Sequence, residues 1–201
     1  MIEFKHVSVN RSGLPVLTDF SMHVPKGGMA LIFGGSGSGK STICDLILGR
    51  LSAQAGEVRI NDSQNREKIG AISPSLELLD DRTVRENIRL PLEIAGVNSK
   101  RQEIIVEALL DRFALHSVAN ERPSTLSGST RQKTAIARAV VSEPFILIAD
   151  EPTLHLDQAA SKEIADILLK EQARGMTMVV LTSSREFRDS FPNASQIALE
   201  G

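Results

Sequence analysis

The chain has 201 residues, enough to bury roughly 70% of its unfolded surface around one core without disulfide or metal staples. Its 23 Lys and Arg against 25 Asp and Glu give a formal net charge of -2, and its aromatics are 7 Phe with neither Trp nor Tyr, which excludes a dedicated nucleic-acid binder. The single Cys44 excludes an internal disulfide and a thiolate metal centre and fits a reducing compartment.

The opening alternates: Ile2, Phe4 and His6 against Glu3 and Lys5, then Val7 and Val9, a strand pattern that turns at Arg11-Ser12-Gly13 and Pro15. Val16 to Val24 is a second strand, stopped by Pro25-Lys26-Gly27-Gly28. Met29-Ala30-Leu31-Ile32-Phe33 is continuously apolar, as a strand buried on both faces would be. A glycine-rich stretch leads into a helix over Thr42 to Leu51, and Gly56 to Asn61 and Ile69 to Ile72 are short strands.

From Thr83 to Val141 the pattern is helical. Thr83 with Glu86 predicts a capping box, Lys100 to Phe113 carries Ile104, Ile105, Ala108 and Leu109 at helical spacing, and Ser127 caps a helix running to Val141. Alternation then returns: strand Phe145 to Ala149, helix Gln158 to Ala173, strand Thr177 to Leu181, strand Gln196 to Leu199. The expectation is an α/β chain read as one domain, residues 1–201, with a mostly parallel sheet and N-terminal antiparallel strands. Its core is 1–82 and 142–201, and a helical subdomain is inserted at about 83–141. No stretch approaches the ~20 apolar residues of a membrane span, so the protein is expected to be cytosolic, reaching a membrane only through a partner.

Gly34-Gly35-Ser36-Gly37-Ser38-Gly39-Lys40-Ser41 fits the phosphate-loop pattern, a glycine, four residues, then Gly-Lys-Ser. Glycines allow main-chain N–H groups to turn inward around phosphate oxygens, and the helix that follows presents its positive end to the same anion. Gly34, Gly35, Ser36, Gly37, Ser38, Gly39, Lys40, Ser41 and Thr42 are thus nucleotide-binding candidates. Lys40 would reach the β- and γ-phosphates and Ser41 would ligate Mg²⁺. The apolar strand Ile146-Leu147-Ile148-Ala149 delivers Asp150 and Glu151 at its carboxyl end, where open α/β sheets hold their ligands. Asp150 is the second metal candidate, and Glu151 is the residue to polarise the attacking water.

Leu126-Ser127-Gly128-Ser129, opening a helix some two dozen residues before the Asp-Glu strand, resembles the signature of the ABC ATPase family. Asp150-Glu151-Pro152-Thr153 and Leu156-Asp157 match the segments that follow in that family. Asp81-Arg82-Thr83-Val84, Glu86-Asn87-Ile88, Leu90-Pro91-Leu92, Ile94-Ala95-Gly96, Ala137-Arg138-Ala139-Val140-Val141 and the opening Met1-Ile2-Glu3-Phe4 resemble its FtsE branch, with the LolD and MacB branches next. The resemblance implies a homodimer that sandwiches two ATP with Mg²⁺, Ser127, Gly128 and Ser129 of one subunit facing the nucleotide of the other. It also implies an integral membrane subunit, FtsX-like or other, and a place on the inner face of the cell membrane.

Four positions depart from the family pattern. Pro74 stands where the family has a glutamine, Ser183 where it has a histidine, Arg11 where it has an adenine-stacking aromatic, and Ser129-Thr130 where it has a second glycine and a Gln or Glu. Arg11 offers a guanidinium that can stack on a flat ring. His155 reads as an exposed loop residue, and Arg131, Lys133 and Arg138 read as a solvated basic stripe. Two functions stay open: a slow ATPase driving a membrane partner, or a regulatory module that binds ATP and dimerises with little hydrolysis. Ile88, Leu90, Leu92 and Ile94 exceed what one short helix broken by Pro91 is expected to bury, which points to a docking surface over Thr83 to Gly96.

Overall fold

A computed structural model describes residues 1–60 and 69–199. Two sheets organise them. β1 (Ile2–Arg11) lies between β2 (Leu14–Val24) and β4 (Ala55–Ile60), antiparallel to both. The second sheet is parallel throughout, in the order β5-β6-β7-β3-β8. Its strands are β3 (Met29–Phe33), β5 (Ile69–Ile72), β6 (Ile146–Asp150), β7 (Thr177–Thr182) and β8 (Ser195–Ala198). Asn61, expected to end the fourth strand, lies outside the described residues.

The continuous apolar runs have a simple cause. Successive side chains of a strand point to opposite faces, and both faces of the parallel sheet are covered. Leu31, Leu147, Met178 and Val180 join one core with the helices α2 (Val84–Ile94), α3 (Ser99–Arg112), α4 (Gly128–Val140) and α5 (Gln158–Ala173). Ala30, Ile32, Ile146, Ile148, Val179 and Leu181 join the other, with α1 (Lys40–Leu48) and the inner face of the antiparallel sheet. The three central strands are thus buried on both sides.

Local differences from the sequence expectation follow from backbone chemistry. α1 starts at Lys40, two residues early, because Gly39 takes a left-handed φ of +96° that hands the chain straight into the helix. It stops at Leu48, three residues before Leu51, because Gly49 closes it in the left-handed conformation and donates its N–H to the carbonyl of Leu46. A one-turn helix α6 (Arg185–Asp189), capped by Ser184, was not expected. The expected apolar surplus of α2 is smaller than its composition suggests: Ile88 and Leu92 are buried, Leu90 is half-buried, and Ile94 alone is fully outside, 79% exposed. Pro91 sits within the helix without ending it. Among the described residues, no helix is long and apolar enough to cross a membrane.

Candidate functional site

Strand order fixes the site. β7 lies between β3, which leads into the phosphate loop, and β6, which ends at Asp150. The N–H of Gly34 donates to the carbonyl of Thr182 (3.2 Å), and the N–H of Glu151 donates to the carbonyl of Leu181 (2.8 Å). The end of β7 therefore holds both motifs, 34–42 and 150–151, at the carboxyl edge of one parallel sheet, where such sheets bind ligands.

In the phosphate loop Gly37 and Gly39 have φ of +84° and +96°. At Gly39 a Cβ would also press against the carbonyl of Val16 at 3.1 Å. Lys40 is buried, and its Nζ donates to the carbonyls of Gly34 and Gly35 at 2.7 Å each. Ser38 is buried with an Oγ that has no hydrogen-bond partner among the described residues. A buried hydroxyl without a partner is a donor left unused within the glycine-rich loop.

Ser41 Oγ donates to Asp150 Oδ2 at 3.2 Å. Burial pushes the Asp150 carboxyl above its ordinary range, the charges of Glu151 and Asp45 add to this, and the Ser41 hydrogen bond and Lys40 oppose it. Glu151 stands at φ +48°; its Oε1 pairs with Lys40 Nζ at 3.4 Å, and its Oε2 accepts from the N–H of Ser183 at 3.0 Å. A cavity of about 430 Å³ joins these groups. Ser36 to Thr42 (except Ser38), Asp150, Glu151, Pro74, Ser183 and Arg11 all line it. No aromatic side chain does. Arg11 is tied by an ion pair to Asp45 at 2.5 Å.

The ABC transporter family model matches residues 17–154, a span that contains the phosphate loop, Ser127-Gly128 and Asp150-Glu151. The chain belongs to the ABC transporter ATPase family. As such it is an ATP hydrolase. It is 38% identical to the cell division ATP-binding protein FtsE of Haemophilus influenzae, over 90% of this chain and 89% of that one. It is 33% identical to the ABC transporter ATP-binding protein YtrE of Bacillus subtilis, over 92% and 90%. Among solved structures it is similar to the ATP-binding cassette MJ0796 in a dimeric post-hydrolysis state bound to ADP and phosphate. The TM-score there is 0.83 at 28% identity, covering 100% of this chain and 94% of that one.

Not every expected residue of this ABC ATPase meets at the cavity. Gly34, Gly35 and Ser38 of the phosphate loop lie outside its lining, and so do Ser127, Gly128 and Ser129. Ser127 caps α4, accepting from the N–H of Thr130, and Ser129 Oγ donates to Glu163 Oε2 at 2.9 Å. Of the basic stripe, Arg131 is exposed as expected, but Lys133 and Arg138 are engaged with the rest of the fold. Lys133 pairs with Glu163 at 3.0 Å, and half-buried Arg138 donates to the carbonyls of Leu76 (2.6 Å) and Glu77 (2.7 Å). Both residues hold positive φ, and burial lowers the pKa of the Arg138 guanidinium. Arg138 thereby clasps the loop that follows Pro74. His155 is exposed, as expected.

Asn87 is a structural residue that sequence reasoning passed over. It is fully buried, accepts from the N–H of Leu79, and donates to the carbonyls of Leu79, Arg82 and Thr83. Its only sequence signal was an amide on the apolar side of α2.

Proposed function

We propose that this chain is an FtsE-like ATP-binding subunit in which ATP-driven dimerisation moves an FtsX-like integral membrane partner in cell division, with slow turnover. The observation that carries the reading is the cavity that unites the phosphate loop, Asp150 and Glu151. Identity to FtsE supports the cell-division branch, and the dimeric state of the similar ATP-binding cassette supports the sandwich. In that sandwich Ser127, Gly128 and Ser129 serve the partner's nucleotide, which fits their place outside this chain's own cavity. The whole chain, 1–201, acts as one nucleotide-binding unit at the inner face of the membrane, held there by its partner.

Gly34 to Thr42 receive the phosphates of ATP, with Lys40 on the β- and γ-phosphates. The Ser41 hydroxyl and the Asp150 carboxylate, 3.2 Å apart, are hard oxygen donors that suit Mg²⁺. When bound, the ion neutralises charge on the phosphate oxygens. Glu151 accepts the proton of the attacking water. The water oxygen bonds to the γ-phosphorus as the bond from that phosphorus to the bridging oxygen breaks, giving ADP and inorganic phosphate. Slow turnover is supported by Pro74 and Ser183, which line the cavity at the two positions where the family carries a glutamine and a histidine. Pro74 has no side-chain donor or acceptor, and the Ser183 hydroxyl is shorter than an imidazole and has no ring nitrogen.

A second reading keeps the nucleotide chemistry and changes the partner. The alternative is an export system of the LolD or MacB type; the 33% identity to the ABC transporter ATP-binding protein YtrE supports a transporter subunit in place of a cell-division one. The deciding experiment is co-purification with an FtsX-like subunit. An Ile94→Asp variant, at the exposed end of α2, is expected to lose the partner while ATP affinity stays unchanged. Undiminished partner binding would move the docking surface elsewhere, and capture of an export permease instead of an FtsX-like subunit would favour the alternative.

A further inference from the structure

We propose that the turn Thr182-Ser183-Ser184 is the positioning element of hydrolysis: the main-chain N–H of Ser183, braced by the buried Thr182 hydroxyl, sets the Glu151 carboxylate for its water. The inference rests on the reading of Glu151 as the proton acceptor.

Glu151 needs support. It is a non-glycine residue at φ +48°, a left-handed conformation that persists only where the surroundings enforce it. The enforcement comes from the end of β7. The carbonyl of Leu181 takes the N–H of Glu151 at 2.8 Å, and two residues on, the N–H of Ser183 donates to Oε2 at 3.0 Å. Main chain and side chain of Glu151 are thus held by one short segment.

That segment is itself rigid. Thr182 is fully buried, and its Oγ1 accepts from the N–H of Ser184 at 3.0 Å. Its carbonyl accepts from the N–H of Gly34 in the phosphate loop at 3.2 Å. Ser184 Oγ accepts from the N–H of Phe187 at 3.2 Å and so caps α6. The turn is pinned to the phosphate loop on one side and to a helix on the other. A main-chain donor fixed in this way has no rotamer entropy to lose when it orients a carboxylate.

The cation beside Glu151 is Lys40, which pairs with Oε1 at 3.4 Å. Phosphates of ATP compete for that ammonium. As Lys40 moves to them, Oε1 is left facing the cavity, while the Ser183 N–H keeps Oε2 in place. One oxygen is anchored and the other is free for the water. The side chain at 183 has no part in this, so a serine there is sufficient.

The test compares variants by phosphate release at saturating Mg-ATP and by ATP affinity. Ser183→Pro deletes the donor, and the extended strand conformation of Thr182 tolerates a following proline. Its kcat is expected to fall about tenfold or more below that of Ser183→Ala, which keeps the donor, with KM for ATP changed by no more than about threefold. Equal kcat in the two variants overturns the proposal. If Ser183→Pro does not fold, Thr182→Val and Thr182→Ser decide. The valine, lacking the brace, is expected to turn over at least about threefold more slowly than the serine at equal ATP affinity, and equal turnover overturns the proposal. Glu151→Gln is measured beside them. If it still hydrolyses ATP, the assignment of the proton acceptor fails and the positioning role with it. If it is inactive while Ser183→Pro matches Ser183→Ala, the positioning role alone fails.

Discussion

Lys40 Nζ and Glu151 Oε1 stand 3.4 Å apart, with 7% and 15% of their side chains exposed. The cation proposed to meet the phosphates is thus paired with the carboxylate proposed to activate water. On the proposed reading, a nucleotide has to take Lys40 from that pair.

Lys40→Ala removes the charge proposed to face the β- and γ-phosphates. ATP affinity measured by calorimetry is expected to fall by at least about tenfold. An unchanged affinity would remove the phosphate-loop assignment. The fold should survive, because Lys40 donates only to carbonyls within its own loop beyond its pairing with Glu151.

Glu151→Gln keeps the size of the side chain and removes the proton acceptor. Phosphate release should stop while Mg-ATP binding persists, and gel filtration with Mg-ATP should then show a dimer. A monomer under these conditions, with the membrane partner present, would count against the sandwich.

Ser183→His places an imidazole at a position lining the cavity, where the proposed reading has the family histidine replaced. It retains the main-chain donor to Glu151. ATP turnover is expected to rise, and Pro74→Gln added to it should raise turnover again. The total gain should fall below the ~10²–10⁴ of a fully positioned acid–base group, since replacing Pro74 also frees the loop backbone. Lys40→Ala in the same background should cancel both gains. No acceleration in the double variant would mean that slow turnover has another cause.

Asn87→Ala leaves the N–H of Leu79 and the carbonyls of Leu79, Arg82 and Thr83 without the side chain that satisfies them. The expected loss is about 2–4 kcal/mol, or a fall in Tm of about 5–15 °C. Asn87→Asp should be at least as damaging, because it sets a buried carboxylate oxygen against those three carbonyls even though the oxygen that accepts from Leu79 remains. A thermal melt of Asn87→Ala that matches the native protein would show that the loop finds other partners.

The sequence alone carried the nucleotide chemistry and the strand–helix order. A phosphate loop is a local object: Gly37 and Gly39 supply the left-handed turns, and Lys40 follows on the first helical turn, all within one short segment. Asp150 and Glu151 were legible because a continuous apolar strand ends on them. The caps at Thr83 and Ser127 were equally local and stand as expected. Only the tertiary structure decided what lies far apart in the chain. That β7 runs between β3 and β6, bringing Ser183 to Glu151, is set by sheet order, which no local spacing encodes. The same holds for Arg138, whose place on a helix read as a solvated stripe. Its guanidinium instead donates to the carbonyls of Leu76 and Glu77, two left-handed residues 62 and 61 positions earlier, because carbonyls outside the regular ladders take their donors from whatever packs beside them, and only the packed fold shows which one arrives.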